Sequence, residues 1–128
     1  MQIKSSSSDA VLEFSRVEGE YFEASLRSSS HSASKRVCCY TDPGGIASLF
    51  DDAAAHWRGW SGTKRWESIE GELTLELTAD RTGHITLDVT INNDLGGPDS
   101  WRVHSQLALE AGQLEALARD AAKTFRST

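Results

Sequence analysis

The chain of 128 residues contains only two cysteines, two prolines and no long hydrophobic run. A membrane helix needs about 20 consecutive apolar residues, and the sequence holds no such stretch. The polar residues 1–8 also lack the apolar segment of a signal peptide. Cys38 and Cys39 are adjacent, so in a strand they face opposite sides and cannot form an unstrained disulfide. These absences predict a cytoplasmic protein with reduced cysteines and no membrane partner.

Basic residues are outnumbered, with 13 lysines and arginines against 19 acidic residues and a formal net charge of −6. No basic run is long enough to offset this balance locally. Because an acidic chain repels nucleic acid and anionic lipid, we expect neither as a partner. The net charge instead favours a basic partner.

Recognised catalytic and cofactor motifs are also missing. The glycines at 44–45 lack the lysine of a phosphate-binding loop, and no serine lies in a Gly-x-Ser-x-Gly elbow. The four histidines lack the short paired spacing of zinc sites. Since these motifs are missing, we predict no catalytic residue, no metal and no cofactor.

What remains is the composition of an ordinary globular protein, 38% hydrophobic and 25% charged. A chain of this length fits one domain and can bury about two thirds of the surface that its unfolded form exposes. We expect a single domain over residues 1–128, with residues 1–9 as a flexible N-terminus.

Hydrophobic periodicity predicts two groups of three strands, each followed by a helix. The first helix begins at Asp42 and Pro43, an N-cap followed by proline at the first helical position, and Gly59 ends it. Its apolar stripe includes Trp57, which we assign to the core. The second helix covers 114–125. The expected strands are 11–17, 21–27, 36–41, 73–77, 85–91 and 101–109.

The two helices match when the chain is offset by 68 positions, which aligns Gly44 with Gly112 and Leu49 with Leu117. Duplication of a β-β-β-α unit would produce this match, and so would two amphipathic helices that meet the same packing demand. In either case the pattern predicts an α+β fold. Its six or so strands form one twisted, mostly antiparallel sheet with both helices on one face.

Three of the four tryptophans fall within ten residues, at the end of the first helix. Trp60 and Trp66 follow the helix and either pack into a corner or protrude from it. Arg58 and Arg65 flank them and can stack on indole rings. Because tryptophan and arginine are enriched at interface hot spots, Trp60, Arg65, Trp66 and Arg58 are the predicted binding residues.

A second candidate lies on the solvent side of the second strand group. Alternation places Glu76, Asp88 and His104 on that side, with Asp88 opposite the other two if the turns are tight. A carboxylate beside an imidazole is the simplest general acid and base pair. Exposed polar sheet faces contain such rows without any catalytic role, so both interpretations stay open.

An ordered pattern runs through the middle of the chain, in the sequence Trp57-x-Gly59-Trp60, Trp66-Glu67-Ser68 and Gly83-His84. This pattern resembles a family of small bacterial proteins known only as a domain of unknown function, DUF6228. The resemblance covers residues 46–91 and continues more weakly into the last helix. It implies a single-domain protein of the bacterial cytosol, and it supplies no activity, substrate or catalytic residue.

Together these features favour a non-catalytic binding or protein-interaction module, with its oligomeric state open. One alternative is a small-ligand binder with a pocket between helix and sheet. A second alternative is a hydrolase-like enzyme that uses Asp88 and His104. The pocket of the first alternative would be lined by the four tryptophans, Trp57, Trp60, Trp66 and Trp101.

Overall fold

The computed structural model describes residues 1–39, 42, 44–94 and 96–126. Within these residues the chain forms four strands, a helix, four strands and a second helix. A 3₁₀ turn, Ala111–Gln113, leads into the second helix. The strands are β1 (Gln2–Lys4), β2 (Val11–Glu18), β3 (Tyr21–Arg27), β4 (Ser32–Cys38), β5 (Lys64–Glu67), β6 (Leu73–Ala79), β7 (His84–Asn93) and β8 (Trp101–Glu110). The helices are α1 (Gly45–Ala55) and α2 (Leu114–Phe125).

The described strands form two antiparallel sheets, each with its members side by side in chain order, β1 to β4 and β5 to β8. The α+β class is confirmed, but the prediction of one six-stranded sheet is wrong. Apolar alternation indicates which face of a strand is buried, and it does not indicate which strands share hydrogen bonds. The chain passes through α1 between β4 and β5, and these two strands are edges of separate sheets.

Two short strands, β1 and β5, are absent from the sequence prediction. Each buries one large apolar side chain, Ile3 in β1 and Trp66 in β5. A single apolar residue gives no alternation to detect. Within residues 1–9, which the sequence predicts to be a flexible terminus, Gln2–Lys4 form β1, which pairs with β2. The N-terminal amine also donates to the carbonyl oxygen of Phe14 at 3.1 Å.

Among the described residues the order of elements repeats, with four strands rather than the expected three before each helix. Each half is thus a β-β-β-β-α unit. β4 begins at Ser32, inside the serine-rich segment, because the residues there pair with β3. Tyr40, Thr41 and Pro43 lie outside the described residues, and with them the end of the predicted third strand and the proline of the predicted helix start.

One hydrophobic cluster contains buried side chains of both sheets and both helices. The last turn of α2 places the Phe125 ring against the first sheet, with ring centroids 5.6 Å from Phe14 and 5.1 Å from Phe22. The Phe22 ring also lies 6.4 Å from that of Trp66 in β5. The two halves therefore share one core. Among the described residues, no helix is long and apolar enough to span a membrane.

Candidate functional site

The tryptophan-rich segment begins where α1 ends. The helix stops at Ala55, and His56 follows with the non-helical backbone angles φ −113° and ψ 35°. Trp57 therefore lies beyond the helix and is 53% exposed, so its predicted place in the core is wrong. Helical spacing assigns a face only to residues inside the helix, and the sequence shows no stop signal before Gly59.

Basic side chains stack on two rings of this segment. The guanidinium of Arg58 lies 5.0 Å from the centre of the Trp57 ring, and the ammonium of Lys64 lies 5.1 Å from that of Trp60. Both distances permit cation–π attraction. Trp60 is half-buried, and its Nε1–H donates to the carbonyl oxygen of Leu77 at 3.3 Å. Trp60 is thus held against β6, whereas Trp57 projects from the surface.

Trp66 lies in the core. It belongs to β5 and is 7% exposed, and its Nε1–H donates to the Asp42 carboxylate at 3.1 Å. Its neighbour Arg65 lies on the outer face of the sheet, where its guanidinium contacts the Glu67 carboxylate at 3.2 Å. Because successive side chains of a strand point to opposite faces, Arg65 and Trp66 do not share a surface.

Two open grooves, each of about 420 Å³, flank the segment. Trp57 forms part of the first groove, together with small residues at the end of α1 and before α2. Arg58 and Trp60 line the second, so the structure brings together these two of the four predicted binding residues. The first groove is lined by Ala54, Ala55, Trp57, Ala111, Gly112 and Glu115. The second includes Arg58, Trp60, Ser61, Ala79, Asp80 and Arg81.

The second groove carries two arginines without acidic partners. Among the described residues, no carboxylate forms an ion pair with Arg58 or Arg81. The Asp80 carboxylate in the same groove accepts hydrogen bonds from the backbone and hydroxyl of Thr82, each at 2.8 Å, and from the His84 backbone at 3.1 Å. These bonds, the one from the Thr82 backbone most strongly, hold the pKa of Asp80 below its ordinary value. We call the set Trp57, Arg58, Trp60 and Arg81 the tryptophan corner.

The predicted acid and base pair lies on the outer face of the second sheet. The Oδ1 atom of Asp88 lies 2.9 Å from Nε2 of His104 and accepts a hydrogen bond from the Gln106 amide, also at 2.9 Å. The register places Asp88 opposite Glu76, as expected, and opposite Gln106, so that His104 is diagonal to it. The His104 side chain is 51% exposed, and neither groove reaches the pair. Asp88 and His104 are close enough to exchange a proton. Neither groove lies beside them, however, so neither groove could hold a substrate against this pair.

The fourth tryptophan lies at the other end of the second sheet. The register between β7 and β8 pairs Trp101 with Asn93 at one end and Glu110 with His84 at the other. The second groove lies at the His84 end, beside Asp80. The four tryptophans therefore do not line one pocket. Register between distant strands is a property of the folded sheet, and the sequence pattern did not contain it.

Two further residues were not marked by any sequence pattern. Glu72 is a carboxylate only 9% exposed, which accepts hydrogen bonds from the Ser68 hydroxyl at 2.7 Å and the Cys38 backbone at 3.1 Å. It links β4 to the turn before β6, which is a structural role. Arg81 belongs to a hairpin turn and joins the corner only because the fold brings that turn beside Gly59. Among the described residues, no three metal-binding side chains gather as a metal site.

Comparison with known proteins places the chain within one sequence family. Residues 3–128 match the model of the family described as "Family of unknown function (DUF6228)". The match includes the N-terminal third, which the resemblance in the sequence did not reach. No curated protein matches the chain.

Proposed function

We propose that this chain, which belongs to the DUF6228 family of unknown function, is a non-catalytic protein-interaction module whose partner binds the tryptophan corner. The observation that carries the proposal is Trp57, a large aromatic side chain that is 53% exposed and carries the Arg58 guanidinium on its ring. An exposed indole is costly in water, and its burial by a partner would be favourable. Tryptophan and arginine are also the residues most enriched at interface hot spots.

The shape of the corner favours a protein over a small molecule. Small-ligand sites are concave and enclose most of the ligand surface. Trp57 instead projects between two open grooves, so a partner that covers the ring would also contact both grooves. A protein surface provides an interface of that breadth, with a central aromatic anchor and a rim around it.

The net charge of the chain favours a basic partner. The fold, however, brings Arg58 and Arg81 together in one groove, and these local charges favour carboxylates on the partner. Arg58 and Arg81 are exposed, and no described carboxylate pairs with them. Asp80 is occupied by its own turn, and Lys64 is paired with Asp52 at 2.7 Å. A guanidinium binds a carboxylate through two parallel hydrogen bonds, so the two arginines can orient an acidic segment around Trp57.

Site-specific crosslinking in the native cell tests this proposal. A photo-crosslinking amino acid replaces Ser61 in the second groove, and in a control protein it replaces Ile69, an exposed apolar residue outside both grooves. We expect a protein adduct from position 61 that is absent from position 69. With the purified partner, Trp57→Ala should raise the dissociation constant roughly tenfold or more. Ile69→Ala should change it by less than about twofold.

Three results would contradict the proposal. The same adducts from positions 61 and 69 would show no preference for the corner. An unchanged affinity in a folded Trp57→Ala variant would remove Trp57 from the interface. The third result has two parts: no protein adduct forms, and small organic anions change the tryptophan fluorescence of the wild type but not of Arg81→Ala. This result would favour the small-ligand alternative.

A further inference from the structure

β8 is the last strand of its sheet, and the two parts of its free edge differ. At one part, the Ala108 carbonyl oxygen accepts from the Ser6 backbone at 2.8 Å, and the Ala108 N–H donates to the Ser5 hydroxyl at 3.1 Å. The Glu110 N–H donates to the Gln113 side chain at 2.7 Å. The edge of β8 is therefore closed from Ala108 onward by the protein's own residues.

The other part of this edge is open. Backbone groups of an antiparallel strand point alternately toward and away from the neighbouring strand. The Ala111 N–H donates to Gly83 on the β7 side, and the register between β7 and β8 runs without a bulge. The N–H and C=O groups of Arg102, His104 and Gln106 consequently point away from β7. Among the described residues none of these groups has a backbone partner, and all three residues are exposed.

We propose that a second copy of this chain pairs with this stretch, β8 against β8 in antiparallel orientation, around a two-fold axis at His104. The two sheets would join into one continuous sheet of eight strands, four from each copy. An edge with unpaired donors and acceptors is a ready template for another strand. Cyclic two-fold dimers are also the commonest form of protein self-association.

The length of the open stretch fits a second copy. It begins at Trp101, where β8 begins, and ends before Ala108, where Ser5 and Ser6 close the edge. His104 is its midpoint. Pairing around His104 places Arg102 of each copy opposite Gln106 of the other, so every outward-pointing residue gains a partner and the Ser5–Ser6 contact stays intact in both copies.

The charges on the outer face also fit. Pairing brings Arg102 beside Gln106 of the second copy, whose amide is hydrogen-bonded to Asp88 on the next strand. The backbones of Arg102 and of that aspartate lie two strand spacings apart, which is roughly 10 Å. The two side chains together are long enough to meet across this distance. Arg102 is exposed and forms no ion pair with another described residue of its own chain. The two-fold axis repeats this contact, so each dimer gains two.

The stretch is remote from the tryptophan corner, which lies at the opposite end of β7 and β8. This proposal therefore does not depend on the proposed function. The paired segment is short, so we expect a weak dimer that forms at high protein concentration.

Analytical ultracentrifugation from about 10 µM to about 1 mM tests the pairing. The average mass of the wild type should rise from 14.0 kDa toward twice that value. His104→Pro should remain monomeric, because proline removes an N–H that points outward and leaves the bonds to β7 in place. Arg102→Glu, which sets a carboxylate near Asp88 of the second copy, should weaken the dimer at least about tenfold. Trp57→Ala serves as the control and should dimerise like the wild type.

Amide hydrogen exchange supplies a second measurement. The amides of Arg102, His104 and Gln106 should become more protected as concentration rises, while the amide of the exposed Gly62, which precedes β5 at the far edge of the sheet, should not change. A wild type that stays monomeric up to about 1 mM would overturn the proposal. So would a dimer that survives in folded Arg102→Glu and His104→Pro variants, since it would use another surface. Protection of these amides only after a different protein is added would assign the edge to a different occupant and equally overturn self-pairing.

Discussion

At the residue scale, Gly45 is the first residue of α1 and has no room for a side chain. A Cβ at this position would overlap the Asp42 carboxylate and the Trp66 indole nitrogen, which hydrogen-bond to each other there. Trp66 is buried and cannot move aside freely. We expect Gly45→Ala to lower the free energy of unfolding by about 1–3 kcal/mol, the usual cost of overpacking. Urea denaturation followed by circular dichroism measures the change.

Gly112→Ala is the matched control for this substitution. Gly112 lies in the 3₁₀ turn that leads into α2, and a Cβ there meets nothing within 4 Å. Since alanine restricts the unfolded chain more than glycine, this change should be neutral or stabilising by less than about 1 kcal/mol. Equal losses of stability in the two variants would contradict the packing argument for Gly45.

Side-chain burial could be predicted where apolar and polar residues alternate along a strand. It could not be predicted for single apolar residues outside such a pattern. Leu73 and Leu75 alternate with polar residues, and both are fully buried as expected. Trp57 and Trp66 lack such a context: Trp57 projects because α1 ends before it, and Trp66 packs because a short strand follows. Of the tryptophan corner, Arg58 and Trp60 were predicted as binding residues from the sequence. Arg81 was not, because only the fold brings its turn beside them.

At the scale of elements, Asp80 holds the turn between β6 and β7. Its Oδ1 atom accepts three hydrogen bonds from Thr82 and His84, which lowers its pKa in the folded protein. A carboxyl whose pKa is lower when folded stabilises the protein above its unfolded pKa. That stabilisation is lost as the pH falls through the folded value. We expect the wild type to exceed Asp80→Asn in stability above about pH 4, and the difference to shrink as the pH falls further.

Urea denaturation of both proteins between pH 7 and pH 2.5 measures this difference. Asparagine keeps an acceptor oxygen and removes only the charge, so the comparison isolates the ionised carboxylate. Asp120→Asn is the control, because Asp120 is exposed on α2 and its side chain has no hydrogen-bond or ion-pair partner among the described residues. A difference for Asp80→Asn that stays constant down to the lowest pH would show that the carboxylate does not stabilise the turn.

The elements themselves were largely accessible from the sequence, and their assembly was not. Periodicity is a local property, so it predicted the course of β6, β7, β8 and α2 closely. Division into two sheets depends on which strand edges meet, and edge pairing is set by contacts between distant segments. The same limit applies to the open edge of β8, which exists because Ser5 and Ser6 from the other half close only part of it.

At the scale of the whole molecule, two topologically similar halves exchange aromatic contacts. Phe125 at the end of the second half packs against Phe14 and Phe22 of the first sheet. Trp66 of β5 packs against Phe22. Neither half therefore completes its core alone, and we expect the protein to unfold as one cooperative unit rather than as two domains.

Phe125→Ala tests this coupling. The ring is partly buried, so its loss should lower the free energy of unfolding by about 2–3 kcal/mol, somewhat less than for a fully buried phenylalanine. All four tryptophans lie at or after residue 57, so fluorescence follows mainly the second half, whereas far-UV circular dichroism follows both. The two signals should give the same midpoint in the wild type and in the variant, and the exposed control Lys123→Ala should unfold like the wild type. Separate midpoints in the wild type would show that each half is stable on its own and that the shared aromatic contacts do not couple them.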